Sequence, residues 1–104
     1  MAILQVITAS KENGEYADLV EAQDAYTTDT NTSALRTYLL SAQSSGDFST
    51  VTEWDGDSQT LTYNRTWDET AYNAYIAAQG TNRSTAKANA ETAGWAVSES
   101  ISTV

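Results

Sequence analysis

Between Phe48 and Trp67 large apolar and small polar residues alternate, and the run is interrupted once, at Asp55-Gly56. Alternation with a period of two places every second side chain on the same face of a strand. Asp-Gly suits the two-residue type I′ reversal of a hairpin. With those two residues as the loop, Trp54 faces Asp57, Thr50 faces Leu61 and Phe48 faces Tyr63. One side of the ribbon then carries Phe48, Trp54, Leu61, Tyr63 and Trp67. The other carries Ser49, Val51, Thr60, Thr62, Asn64 and Thr66. A slip of one residue would mix the two sets, so the pattern specifies which side is apolar.

The rhythm changes after Trp67. Asp68 supplies an N-cap side chain, Glu69 adds favourable first-turn charge, and Tyr72, Tyr75 and Ile76 fall on one helical face. Trp67 before the cap can pack on Tyr72 in the first turns, the arrangement of a hydrophobic staple. Asp68 and Glu69 are therefore read as parts of a strand-to-helix corner rather than of an active site. Gly80 is expected to end this helix, and a short Ala-rich helix is expected from about Ser84 to Ala93.

Elsewhere, "AILQVITAS" near the N-terminus reads as a strand apolar on both faces, hence a central one. Asn13-Gly14 breaks it. From Glu15 a helix is expected, with Tyr16, Leu19, Val20 and Tyr26 on its apolar face and Glu15, Asp18 and Glu21 in its first turns. "TTDTNT" at 27–32 reads as a polar loop. A second helical piece places Leu35, Leu39 and Ala42 in one row with Tyr38 beside it, and stops at Gly46. Trp95, Val97, Glu99 and Ile101 alternate with Ala96, Ser98, Ser100 and Ser102, which reads as a last strand with one polar side; residues 96–104 suit either such a strand or an extending arm. The expected fold is α+β: a single domain over 1–104 with ferredoxin-like βαββαβ order. In it an antiparallel four-stranded sheet carries helices on one face, with the first and last strands central and the hairpin strands flanking them.

Composition narrows the chemistry. Among 104 residues there is no Cys, His or Pro. Thiolate sites, disulfides, the commonest metal ligand and the usual general base are all excluded. Fourteen acids against five bases give a net charge of −9, which repels nucleic acid and anionic membranes. Lys11, Arg36, Arg83 and Lys87 form no basic patch in the sequence. The N-terminal stretch has neither the basic start nor the length of a signal segment, so synthesis without export is expected.

Individual motifs add little. Asp55-Gly56-Asp57-Ser58 begins like a calcium loop, but position twelve is Thr66 instead of Glu. Asn31, Asn64 and Asn82 match the glycosylation pattern without a secretion signal to support it. Glu53, Asp55 and Asp57 cluster at the hairpin tip, where solvation leaves them unsuited to acid–base work. Arg65 shares the apolar side with Tyr63 and Trp67. It is expected to stack on an aromatic ring or to reach Asp68 or Glu69, with anion binding as the alternative. No residue is assigned to catalysis, to a cofactor or to a metal.

The run from Val51 to Gly80, with a strand ending in Trp67, the acidic cap Asp68 and the segment Ala71 to Tyr75, resembles the second half of ferredoxin-like proteins of the dimeric α+β barrel type, such as antibiotic-biosynthesis monooxygenase domains. That resemblance implies dimerisation through the open sheet face and, in enzyme members, use of that cleft. In composition the chain also resembles small tailed-phage virion accessory proteins. The functional expectation is a non-catalytic protein-interaction module docking on a larger assembly. Capsid, neck or tail subunits are the expected partners, and homo- or hetero-oligomers the expected state. Its place would be the virion, with the host cytoplasm during assembly, or otherwise the cytoplasm. The alternative is a small monooxygenase-like enzyme or ligand-binding dimer, which requires a cavity between sheet and helices lined by Tyr63, Trp67, Tyr72 or Trp95.

Overall fold

Strand β1 (Ala2–Lys11) is the hub of the chain: it pairs antiparallel with both β3 (Thr60–Asp68) and β4 (Trp95–Thr103). With β2 (Phe48–Asp55) on the far side of β3, the sheet runs β2-β3-β1-β4. Helices α1 (Leu19–Thr30) and α2 (Ser33–Ser44) connect β1 to β2, and α3 (Glu69–Thr92) connects β3 to β4. The computed structural model describes residues 1–30 and 32–104.

The strand apolar on both faces is central, as its sequence requires, but its other neighbour differs from expectation. The last strand lies at an edge, and the hairpin strand β3 takes the second central place. The reason lies in composition: β4 is exposed along most of its length, with Ser on one side, and loses little at an edge. It is a strand to its end, not an arm, for Thr103 pairs with Ile3 and Val104 N donates to Ala2 O at 3.0 Å.

The hairpin register is shifted. Asp55 pairs with Thr60 and Trp54 with Leu61, so a four-residue turn replaces the expected two-residue one. A type I′ turn needs positive φ at both central residues. Here the only positive φ in the turn is at Gln59 (φ 52). The Asp55 carboxylate instead accepts from Asp57 N (3.0 Å) and Ser58 N (3.4 Å), and these bonds lower its pKa from the ordinary value. Gln59 Nε2 closes the turn on Gly56 O at 2.8 Å. The shift moves each partner by four residues, an even number, so the apolar side is preserved. Phe48 now stacks on Trp67, centroids 4.3 Å apart.

The helices also depart from expectation. α1 begins at Leu19, not near Glu15, because the Asp18 side chain caps it by accepting from Glu21 N at 2.9 Å. Val20 is 67 % exposed, while Ala22, Ala25 and Tyr26 face inward. The helix runs on to Thr30 through most of the stretch expected to be a loop; Asn31 of that stretch lies outside the described residues. Thr27 and Thr30 hydroxyls donate to Gln23 O and Thr27 O, so hydroxyls that suggested a loop are satisfied on the helix itself. α2 ends as expected, with Gly46 at φ 82.

α3 is one helix of 24 residues and passes straight through Gly80. Its start is the corner read from sequence: Asp68 Oδ2 accepts from Ala71 N at 3.1 Å, and Trp67 meets Tyr72 edge-on at 5.9 Å. Its continuation is tertiary, since Ala86 and Ala90 in the second half are buried.

By the register, one face of the sheet carries five rows, the last being Lys11 and Trp95. Phe48, Trp67 and Ile3 form one end row; Trp54, Leu61, Ala9 and Val97 form a row toward the other end. The helices cover this face, with Tyr75 stacked on Trp67 (4.7 Å) and Tyr26 edge-on to Trp95 (5.2 Å). The buried core accordingly falls into two clusters, one around Trp67 and Tyr75 and one around Trp95 and Ala90.

Candidate anion-binding cavity

Between the two aromatic ends lie the middle rows, Thr50–Arg65–Gln5 and Thr52–Tyr63–Ile7–Glu99. On edge strand β2 these rows hold Thr where the end rows hold Phe48 and Trp54. Small side chains there leave space beneath the helices. The result is a cavity of about 720 Å³, floored by these rows and bordered by all three helices. That volume is in the range of small-molecule sites.

Its charge is the reverse of the molecule's. Of the five basic side chains in the chain, four line the cavity: Arg36 from α2, Arg65 from β3, and Arg83 and Lys87 from α3. Of the fourteen acids only Glu99 does. Glu99 is already committed. Its Oε1 accepts from Arg83 at 2.5 Å, and its Oε2 accepts from Gln5 Nε2 at 2.9 Å. Fully buried Gln5 in turn accepts from Trp67 Nε1 at 2.9 Å. Burial works against the Arg83 charge, but the hydrogen bond and charge of Glu99 together hold its pKa above the ordinary value. Arg36, Arg65 and Lys87 have no carboxylate within 4 Å among the described residues.

Arg65 is the interior cation. Its guanidinium sits 5.2 Å from the Tyr63 ring centroid and 5.8 Å from that of Phe48. Burial lowers its pKa from the ordinary value, against the opposing influence of Tyr75, Tyr63, Tyr26 and Glu99; a guanidinium nonetheless stays protonated in proteins. Directly across the ladder is Thr50, whose buried Oγ1 has no hydrogen-bond partner among the described residues. Buried hydroxyls are normally satisfied. The second such group, Trp54 Nε1, lies at the hairpin end and outside the cavity lining. The Tyr63 hydroxyl is pushed up to about 12 by burial, so it remains a neutral donor. Tyr26 is raised for the same reason. The N-terminal end of α2, Thr32 and Ser33, borders the same space with the positive end of its dipole.

Of the sequence candidates, Arg65 stacks on rings as expected and makes no ion pair with Asp68 or Glu69: Asp68 caps α3, and Glu69 lies 3.8 Å from the N-terminal amine. Tyr63 lines the cavity. Trp67, Tyr72 and Trp95 do not, because the two tryptophans are locked in the packed clusters and Tyr72 packs against the first. Glu53, Asp55 and Asp57 are exposed at the tip. Asn64 and Asn82 are held by Val51 O and Gln79 Oε1. Lys11 is spent elsewhere, over the Trp95 ring, bonded to Ala93 O and 3.6 Å from Asp29.

Arg36, Arg83 and Lys87, which form no patch in the sequence, converge on this cavity. Arg83 and Lys87 are four apart, hence on one face of a continuous α3. A helix ending at Gly80 would leave Arg83 outside it; the continuous α3 puts both on one face. Among known proteins no family model, curated protein or solved structure matches this chain.

Proposed function

We propose that the chain is a non-catalytic binding protein of ferredoxin-like fold whose ligand is a small organic anion. The fold reading is supported by the βαββαβ succession and by the order β2-β3-β1-β4 with every neighbouring pair antiparallel; the split of the first crossover into α1 and α2 is a departure. The functional reading rests on one observation: a chain of net charge −9 gathers four of its five bases around one cavity. A binding role is favoured over catalysis because the lone lining carboxylate is held on both oxygens, and burial keeps the Tyr63 and Tyr26 hydroxyls protonated.

A thermal-shift panel of carboxylates, phosphates and sulfonates at low ionic strength tests this. At least one anion class is expected to raise Tm where its uncharged analogue does not, and Arg65→Met is expected to lose the response. The same variant is expected to raise the Tm of the unliganded protein, by about 1 kcal/mol of stability, since it removes a half-buried cation with no carboxylate partner. If no anion shifts Tm, the reading fails.

A docking role, as expected from composition, is the second reading. It is favoured by the sheet face away from the helices, which is uncovered: Val51 is 64 % exposed there and Leu4 and Val6 are only half-buried.

A further inference from the structure

Resting on the anion-binding reading, we infer that the ligand is a monocarboxylate with an apolar body, its head group held by Arg65 and Thr50. The number of charges comes first. Arg36 and Lys87 are exposed and stand at the solvent side, and Arg83 is neutralised by Glu99, so the interior offers one unspent positive charge. A dianionic phosphate there would keep half its charge uncompensated against partly apolar walls, which is costly. A carboxylate brings one charge.

The donors agree with that head group. A guanidinium presents its N–H groups as a planar fork that matches two carboxylate oxygens. The rings of Tyr63 and Phe48, at 5.2 and 5.8 Å from the guanidinium carbon, stiffen that fork and limit its rotation. Thr50 stands opposite Arg65 on the neighbouring strand, and its unpartnered buried hydroxyl supplies one more donor to the same oxygens. An orphaned hydroxyl beside an unpaired guanidinium is what a site built around a missing acceptor leaves behind.

Part of the remaining wall is apolar, formed by Ile7, Leu35, Leu39 and Val97 with the Tyr26 and Tyr75 rings, beside polar side chains such as Gln23, Thr27 and Thr52. Acetate or a comparable small acid would leave most of the 720 Å³ unfilled. A body of eight or more carbons covers more of the apolar part of the wall and gains from that contact.

The experiment is titration calorimetry of the full chain with octanoate, 4-phenylbutyrate, acetate, octanol, octyl phosphate and inorganic phosphate at low salt. Octanoate or 4-phenylbutyrate is expected to bind at least about tenfold more tightly than acetate, octanol and both phosphates. Thr50→Val is expected to weaken that binding about tenfold. Arg65→Lys, which keeps the charge but not the fork, is expected to weaken it similarly, with circular dichroism confirming that both variants fold. Tight binding of either phosphate but not of the carboxylates would overturn the head-group assignment and leave the anion-binding reading standing. Acetate binding as tightly as octanoate would overturn the apolar body. Octanol binding as tightly as octanoate, or no binding by any anion in this series or the thermal-shift panel, would overturn both.

Discussion

Arg65 and Tyr63 show how neighbours two residues apart on one strand can divide a task. Both side chains face the helices, one bringing charge and the other a neutral ring and hydroxyl. The Tyr63 hydroxyl loses its proton near pH 10 in an unfolded chain and only at about 12 in the folded one, because burial disfavours phenolate. Between those values the unfolded chain has already released a proton that the native state retains. Stability is therefore complete below pH 10 and falls as pH rises toward 12, by on the order of 1 kcal/mol per pH unit from this group. Chemical denaturation across that window should show the decline, and Tyr63→Phe should reduce it, leaving the smaller part due to Tyr26, which burial also raises. Arg65 was legible in the sequence as a charge on an apolar face. Its lack of an acidic partner was not, since Asp68 and Glu69 stand nearby in sequence but serve the helix corner and the N-terminus. Thr50 gave no local signal at all: that its hydroxyl is buried and without a partner follows from the tertiary fold.

At the scale of elements, the corner at Trp67–Asp68 was readable because cap, first-turn acid and staple act within a few residues. The length of α3 was not readable. Gly80 is a poor helix residue, but Ala86 and Ala90 beyond it gain burial against the sheet, and that gain outweighs the local cost. A Cβ at Gly80 would meet nothing within 4 Å, and its φ is not positive. Gly80→Ala is therefore expected to stabilise the protein by up to about 1 kcal/mol, or roughly 4–8 °C in Tm, without altering the cavity. A melting curve beside the octanoate titration would check both halves of that statement. The hairpin teaches the same lesson in another form. Alternation fixed which side each residue faces, while the turn was decided by Asp55 oxygen meeting Asp57 and Ser58 amides.

For the whole molecule, the decisive feature is the separation of charge. Thirteen of the fourteen acids lie outside the cavity lining and four of the five bases within it. The surplus of negative charge opposes self-association, and salt screens that repulsion. Light scattering across a salt series is expected to show dimers forming as salt rises if the uncovered sheet face is a docking surface. A Val51→Lys variant should then remain monomeric. A chain that is monomeric at every salt and protein concentration, alone and mixed with a candidate partner, would remove the second reading and leave the cavity untouched.

By itself the sequence determined the α+β class, the centrality of β1, the apolar side of the hairpin and the corner that launches α3. Each depends on residues close together in the chain, whose periodicity or capping chemistry acts locally. Only the tertiary structure decided the edge position of β4, the unbroken α3, and the meeting of Arg36, Arg65, Arg83 and Lys87 around one space. Those outcomes depend on what is buried against what, and on bringing together side chains from three separate elements; apart from the four-residue spacing of Arg83 and Lys87, their positions along the chain carry no trace of their proximity.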